Sequence, residues 1–150
     1  MFNLSKKVIS SIEAVVYIAY NSSGEPVRSS EITNRQGTPQ RYLEQTLQVL
    51  VKANILVGVR GPKGGYILAK ERRRINLGEI VTIINNSEKL ETSMPSISSD
   101  LCKKVIAPVW DDLNLIIMEK LNKVSVEDLC SRANTLNVQR NLNSNLDFNI

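Results

Sequence analysis

The sequence predicts a mainly α-helical fold with one small β-hairpin: a winged helix-turn-helix followed by a long C-terminal dimerisation helix. Three observations predict it. Two helical segments flank a short turn containing Gly37, and a glycine-rich turn from Gly61 to Gly65 separates two short β-rich runs. A strongly apolar segment from Pro108 to Leu121 then keeps helical spacing for about four turns.

The first helix is announced by Leu4-Ser5-Lys6-Lys7, with Ser5 as N-cap and Val8, Ile12, Val15 and Ala19 along one face. The turn formers from Asn21 to Pro26 end it. Ser29 or Ser30 is expected to cap a short second helix containing Glu31 and Ile32, which stops where Gly37 permits a left-handed residue. Thr38 then suits an N-cap and Pro39 the first position of a third helix, because proline's missing N–H needs no partner there. On that helix Leu43, Thr46, Leu47 and Leu50 form the core side, while Arg41, Glu44, Gln45, Gln48 and Lys52 form the other side and its flank.

Residues 55–60 read as a strand, 61–65 as a tight tip and 66–69 as the return strand. Arg60 at the base and Lys63 at the tip make this wing positive, as contact with a phosphate backbone or an adjacent minor groove requires. A phosphate loop is excluded by order, since Gly-Gly-Tyr here opens a strand where a nucleotide-binding loop needs Gly-Lys-Ser/Thr opening a helix. Arg72-Arg73-Arg74 has no assigned role, and Asn76 caps a helix from Leu77 through Ile84. The expected organisation is a DNA-binding domain at 1–84, a linker at 85–107, dimerisation helices at 108–133 and a disordered tail at 134–150.

The apolar stripe after Pro108 includes Trp110, Leu113, Ile117 and Leu121, and Leu115 and Met118 widen it beyond half the helix girth. A helix that apolar needs cover, and a second copy of the chain is the simplest cover, which predicts a homodimer. Ser125-Val126-Glu127-Asp128-Leu129 reads as the cap and first turn of a last helix.

Composition bounds the function. The 150 residues are 42% hydrophobic and 23% charged, an ordinary globular balance. No run is long and apolar enough to span a bilayer or to act as a signal peptide, so the expected location is the cytoplasm, without membrane partners. The net charge of +4 is unevenly spread: residues 1–80 hold 12 Lys/Arg against 6 Asp/Glu, and residues 81–150 hold 7 against 9. A basic first half suits double-stranded DNA, whose counterions Lys and Arg displace. With no histidine and no nucleophile, base or metal-ligand grouping, an enzyme is not expected.

On these residues the sequence resembles the Rrf2 family of bacterial winged-helix regulators, which includes IscR-like, NsrR-like and CymR-like proteins. The resemblance runs from about Leu4 to Leu129. It rests on Leu4-Ser5-Lys6-Lys7, on Pro39-Gln40-Arg41-Tyr42-Leu43-Glu44-Gln45 and on Arg60-Gly61-Pro62-Lys63-Gly64-Gly65-Tyr66, with Trp110 and the final Ser-Val-Glu-Asp-Leu segment in the same order. It implies a homodimeric, sequence-specific regulator of transcription, expected to be a repressor, on a pseudo-palindromic operator. The third helix would enter the major groove, with Thr38, Gln40, Arg41 and Gln45 facing bases or phosphates. Arg60 would enter the minor groove, and Ser29 and Lys63 complete the candidate DNA-contacting set.

Many members of that family carry an iron–sulfur cluster on three closely spaced cysteines before the long helix. Here only Cys102 lies in that stretch, the other cysteine is Cys130, and no cofactor is expected. Cys102, beside Lys103 and Lys104, is the candidate thiol sensor, although a lone cysteine is ordinarily inert. The competing reading is a winged-helix module that binds a protein partner and no DNA.

Overall fold

A computed structural model describes residues 5–89 and 99–141. Helix α1 spans Lys6–Asn21 and is capped as expected, with the Ser5 hydroxyl accepting from the Val8 amide at 3.3 Å. Its inner face buries Val8, Val15 and Ile18 completely. Helix α2, Ser29–Gln36, ends on Gly37 in the left-handed region at φ 64°, whose amide donates to the Thr33 carbonyl at 2.9 Å.

Two caps differ from expectation by one residue. Arg28, not a serine, is the N-cap of α2, and Ser29 is its first helical residue. The cause lies far off in sequence: Val27 exchanges backbone hydrogen bonds with Tyr66 at 2.9 and 2.8 Å, which holds the chain extended up to Arg28. Helix α3 spans Gln40–Lys52 with Pro39 as its cap, and the Thr38 hydroxyl bonds Gln36 at 3.4 Å instead of capping the helix. Its core side is as read from the sequence, with Leu43, Thr46, Leu47 and Leu50 all buried.

Strands β1 (Leu56–Val59) and β2 (Gly65–Leu68) pair antiparallel, Leu56 opposite Leu68 and Val59 opposite Gly65. Ile55, just before β1, is fully buried and bonds both Leu50 and Ala69 through its backbone, so the wing is rooted in the core. The arginine run at 72–74 forms a single 3₁₀ turn, in which Arg72 pairs with Glu127 and Arg73 with Glu71. Two of the three arginines are therefore committed within the chain.

Helix α4, Leu77–Lys89, carries the expected cap, the Asn76 Oδ1 accepting from the Glu79 amide at 2.9 Å. It passes the expected boundary at residue 84, because Asn85 to Lys89 lack helix breakers. The expected linker at 85–107 is shorter at its other end too, since helix resumes at Asp100. A π-helical turn at Cys102–Ile106 runs directly into α5, Ala107–Asn122. Proline lacks an N–H and its ring crowds the carbonyl four residues back, so Pro108 stops a regular helix. The widened turn, in which the Ala107 amide reaches the Cys102 carbonyl five residues back, accommodates it. Residues 90–98, including Met94-Pro95, lie outside the described residues, as do Leu4 and 142–150.

Helix α6, Val126–Thr135, packs on α1 and on the 3₁₀ turn, and Val126 and Cys130 belong to the same core as Ile18, Leu47 and Ile80. The core is thus not confined to residues 1–84. The tail was expected to be disordered from 134, yet residues 136–141 lie against α1: Tyr20 donates to the Val138 carbonyl at 2.7 Å, and Arg140 sits 4.7 Å over the Tyr20 ring. Asn141 bonds Asn21, Tyr17 and Arg35. Two tyrosines on α1, 118 and 124 residues away in sequence from their partners, supply order that a weakly apolar tail does not advertise. Among the described residues no helix is long and apolar enough to cross a membrane.

Helix α6 has a capping box, in which Ser125 Oγ accepts from the Asp128 amide at 3.1 Å and Asp128 Oδ2 accepts from the Ser125 amide at 2.8 Å. Those hydrogen bonds, backbone first, hold the Asp128 carboxyl below its ordinary pKa. A group with a depressed folded pKa stabilises the fold above its unfolded pKa and loses that contribution as pH falls through the folded value. Denaturant titrations from neutral to acid pH should therefore show a smaller acid loss of stability in Asp128→Asn than in the parent chain; an unchanged acid limb would remove Asp128 from this role.

Candidate nucleic-acid interface

Because Leu43, Leu47 and Leu50 point into the core, the opposite side of α3 must face outward. Arg41, Gln45, Gln48 and Lys52 recur there at i, i+4, i+7 and i+11, all exposed, and form one stripe of guanidinium, amide and ammonium groups. Gln40 stands at the helix start beside this stripe. Its amide donates to Glu44 Oε1 at 3.0 Å, and the Ser29 hydroxyl donates to the same carboxylate oxygen at 3.2 Å. Glu44 so joins the starts of α2 and α3.

The wing lies next to that surface. Its tip turns at Gly61, φ 111°, and closes with the Gly64 amide on the Gly61 carbonyl at 2.9 Å. Gly65 is required for a different reason: a Cβ there would collide with the Val27 carbonyl, across the hydrogen-bonded exchange that seats the wing. Two side-chain contacts fix the wing further. The Arg28 guanidinium donates to the Pro62 carbonyl at 2.6 Å, and Gln48 Nε2 donates to the Tyr66 hydroxyl at 3.4 Å.

Between the wing and the helices lies a groove of about 600 Å³, lined among others by Arg28, Ser29, Gln40, Gln48, Arg60 and Tyr66. Of the residues singled out from the sequence, Ser29, Gln40 and Arg60 meet in this groove. Arg41 and Gln45 are not among its lining residues and stand exposed on the outward stripe of α3, of which Gln48 is the member that lines the groove. Lys63, exposed at the wing tip, borders a neighbouring cleft with Glu25 and Glu31. Thr38 is half-buried with its hydroxyl turned to Gln36, so it does not join the groove. Arg28 and Tyr66 also line the groove and were not singled out from the sequence. Nothing local marks Arg28, whose partner carbonyl is at Pro62, whereas Gln48 was legible as the next step of the Arg41–Gln45 spacing.

The long helix presents the second surface. Trp110 and Leu113 are exposed at 47% and 45%, and Leu115 and Ile116 more so, at 65% and 57%. Ile117 and Leu121 are half-buried, with Leu121 packed against the core. Leu101, Val105, Ile106 and Val109 extend the exposed apolar strip toward the start of the helix. That extension was hidden by the expectation that Pro108 begins the helix, although Leu101, Val105, Val109 and Leu113 keep a four-residue spacing straight through it.

The chain matches the Rrf2 family model, described as iron-dependent transcriptional regulator, over residues 4–132. It is 31% identical to the HTH-type transcriptional regulator IscR of Sodalis glossinidius, covering 90% of this chain and 82% of that protein. Among solved structures it is similar to IscR of T. potens, with a TM-score of 0.72, 32% identity and coverage of 92% and 93% of the two chains. CymR of B. subtilis shares the fold, with a TM-score of 0.69 at 23% identity and coverage of 88% and 98%.

The iron-dependent description raises the question of a metal cluster, and the donors present do not fit one. The chain has two cysteines and no histidine. Cys130 is buried in the core, where burial raises its thiol pKa and so disfavours the thiolate a metal needs; Cys102 is partly exposed in the π-helical turn. Among the described residues no three His, Cys, Asp or Glu side chains are grouped to hold a metal. A cluster wants about four soft or imidazole ligands, and one accessible thiol per chain does not supply them. Protein purified under anaerobic conditions should accordingly show no visible thiolate-to-iron absorption; a coloured preparation whose absorption is abolished by Cys102→Ala would contradict this.

Proposed function

The chain belongs to the Rrf2 family of transcriptional regulators, and on that premise we propose that it is a repressor that binds a pseudo-palindromic operator as a homodimer. The observation that carries this reading is the open groove that Gln40 and Gln48 of α3 share with Arg60 and Tyr66 of the wing. A major groove is about 12 Å wide and admits a single helix. Amides and guanidinium groups along such a helix pair with adenine and guanine edges, which is the chemistry that Gln40, Arg41, Gln45 and Gln48 offer. Arg60 and Lys63 then fall on the flanking phosphates or in the adjacent narrow groove.

Two-fold symmetry follows from α5. The apolar strip from Leu101 to Ile116 is wide for a monomer surface, and pairing of two such strips covers both at once. A dimer carries two α3 helices, so its target has two inverted half-sites. Occupancy of two successive grooves excludes other proteins from the same stretch of duplex, which is the sense in which repression is proposed. The net positive charge of residues 1–80 supports this reading over a module that binds only protein, because its first consequence is affinity for polyanions.

Binding to duplexes selected from a random library should weaken steeply with salt, and Arg60→Ala should cost about 1–3 kcal/mol of specific affinity. Fluorescence anisotropy at two salt concentrations measures both, and a salt-independent affinity insensitive to Arg60 favours the protein-binding alternative. For the dimer, Leu113→Glu is the sharper probe than a change at Ile117, which its own chain half covers. Sedimentation should find the Leu113→Glu variant monomeric and folded, because two facing carboxylates cannot be buried unpaired; a dimer of unchanged mass would place the interface elsewhere.

A further inference from the structure

We propose that the junction between the end of α5 and the start of α4 is a clasp that selects operators by the spacing of their half-sites. This rests on the dimeric DNA-binding reading above and adds a specificity determinant distant from any base-reading side chain.

The junction is built from four contacts of three kinds. The Leu77 amide donates to the Val124 carbonyl at 2.9 Å, and the Val126 amide donates to the Ile75 carbonyl at 2.8 Å, so the α5–α6 connection is paired to the entry of α4 like two short strands. One residue on, Gly78 is buried in the first turn of α4 with the Asn122 side chain lying where its Cβ would be. Glycine is costly in a helix, by about 1 kcal/mol relative to alanine, and here the missing Cβ leaves the space in which the Asn122 side chain rests against the first turn of α4, its backbone N 3.2 Å from that position. Arg72, on the turn after the wing, pairs with Glu127 in the first turn of α6.

Covalent connection alone does not fix α5 on the winged domain. Met118 and Leu121 pack α5 on the common core, and the clasp adds directional contacts that fix the angle at which the end of α5 meets α4. Each added base pair moves a half-site by about 3.4 Å along the duplex and rotates it by about 34° about the axis. A winged domain clasped to a self-paired α5 resists that movement, whereas one loosened at residues 75–78 and 122–127 can change its angle to α5.

The test uses the full chain. Wild-type protein is first used to select duplexes from a random library, and a panel is then made with zero, one or two base pairs inserted between the selected half-sites. Wild-type protein should bind the one-base-pair insertion about tenfold more weakly than the selected spacing or worse. In Gly78→Ala and separately in Glu127→Lys that penalty should shrink to about twofold, with dimer mass unchanged. Rescue separates the clasp from general damage: Gly78→Ala with Asn122→Ala removes the blocking side chain, and Glu127→Lys with Arg72→Glu restores opposite charges, so both pairs should recover the wild-type penalty. Should Gly78→Ala fail to fold, the exposed Arg72–Glu127 pair decides alone. Full retention of the spacing penalty in folded single variants overturns the clasp while leaving DNA binding intact. A wild-type protein that enriches no duplex overturns the DNA-binding reading, and the clasp with it.

Discussion

Val27 and Tyr66 exchange two backbone hydrogen bonds, and the rest of the surface is arranged around that exchange. It holds the chain extended before α2, so the helix starts at Ser29 and brings that hydroxyl to Glu44. The same exchange seats β2 beside the helix-turn-helix, so that Arg28 reaches the wing-tip carbonyl of Pro62 and Gln48 reaches Tyr66. A hairpin of two short strands is marginally stable alone. Paired to Val27 on one side and rooted by buried Ile55 and Leu56 on the other, it becomes part of the core.

The chain therefore presents two faces of opposite chemistry. Around α3 and the wing the exposed groups are amides and cations on a framework that α3 buries through three leucines. Along α5 they are apolar, and only Met118 and Leu121 of that helix pack on the common core. The π-helical turn joins these concerns, because it lets the helix pass Pro108 without breaking and so lengthens the apolar strip by almost two turns. Helix α6 returns to α1, and residues 136–141 continue across Tyr17 and Tyr20 to Arg35, closing the chain on the outer helix of the helix-turn-helix.

Much of this was legible in the sequence where the cause is local. The buried face of α3, the Gly37 stop, the Asn76 and Ser125 caps and the glycine-rich tip each follow from neighbouring residues, and each is where those residues put it. The misreadings share a different cause. Thr38 and Ser29 look like caps, but a strand pairing to Tyr66 and a hydroxyl contact to Gln36 decide where their helices begin. Pro108 looks like a helix start because the wide turn before it has no sequence mark. Residues 136–141 look unstructured because their partners are tyrosines on the first helix. In the groove, Ser29, Gln40 and Arg60 are residues the sequence named by type and position, whereas Arg28 reaches a distant backbone carbonyl and carries no signature.

The central claim is that the α3 stripe and the wing grip one duplex together. Backbone amide shifts, followed by NMR as a selected duplex is added, test it most directly. Arg41, Gln45 and Gln48 should shift in concert with Arg60, Gly61, Lys63 and Gly64, at one stoichiometry, while the exposed strip of α5 stays unchanged. Shifts confined to α5, or a wing that responds while α3 does not, would contradict it.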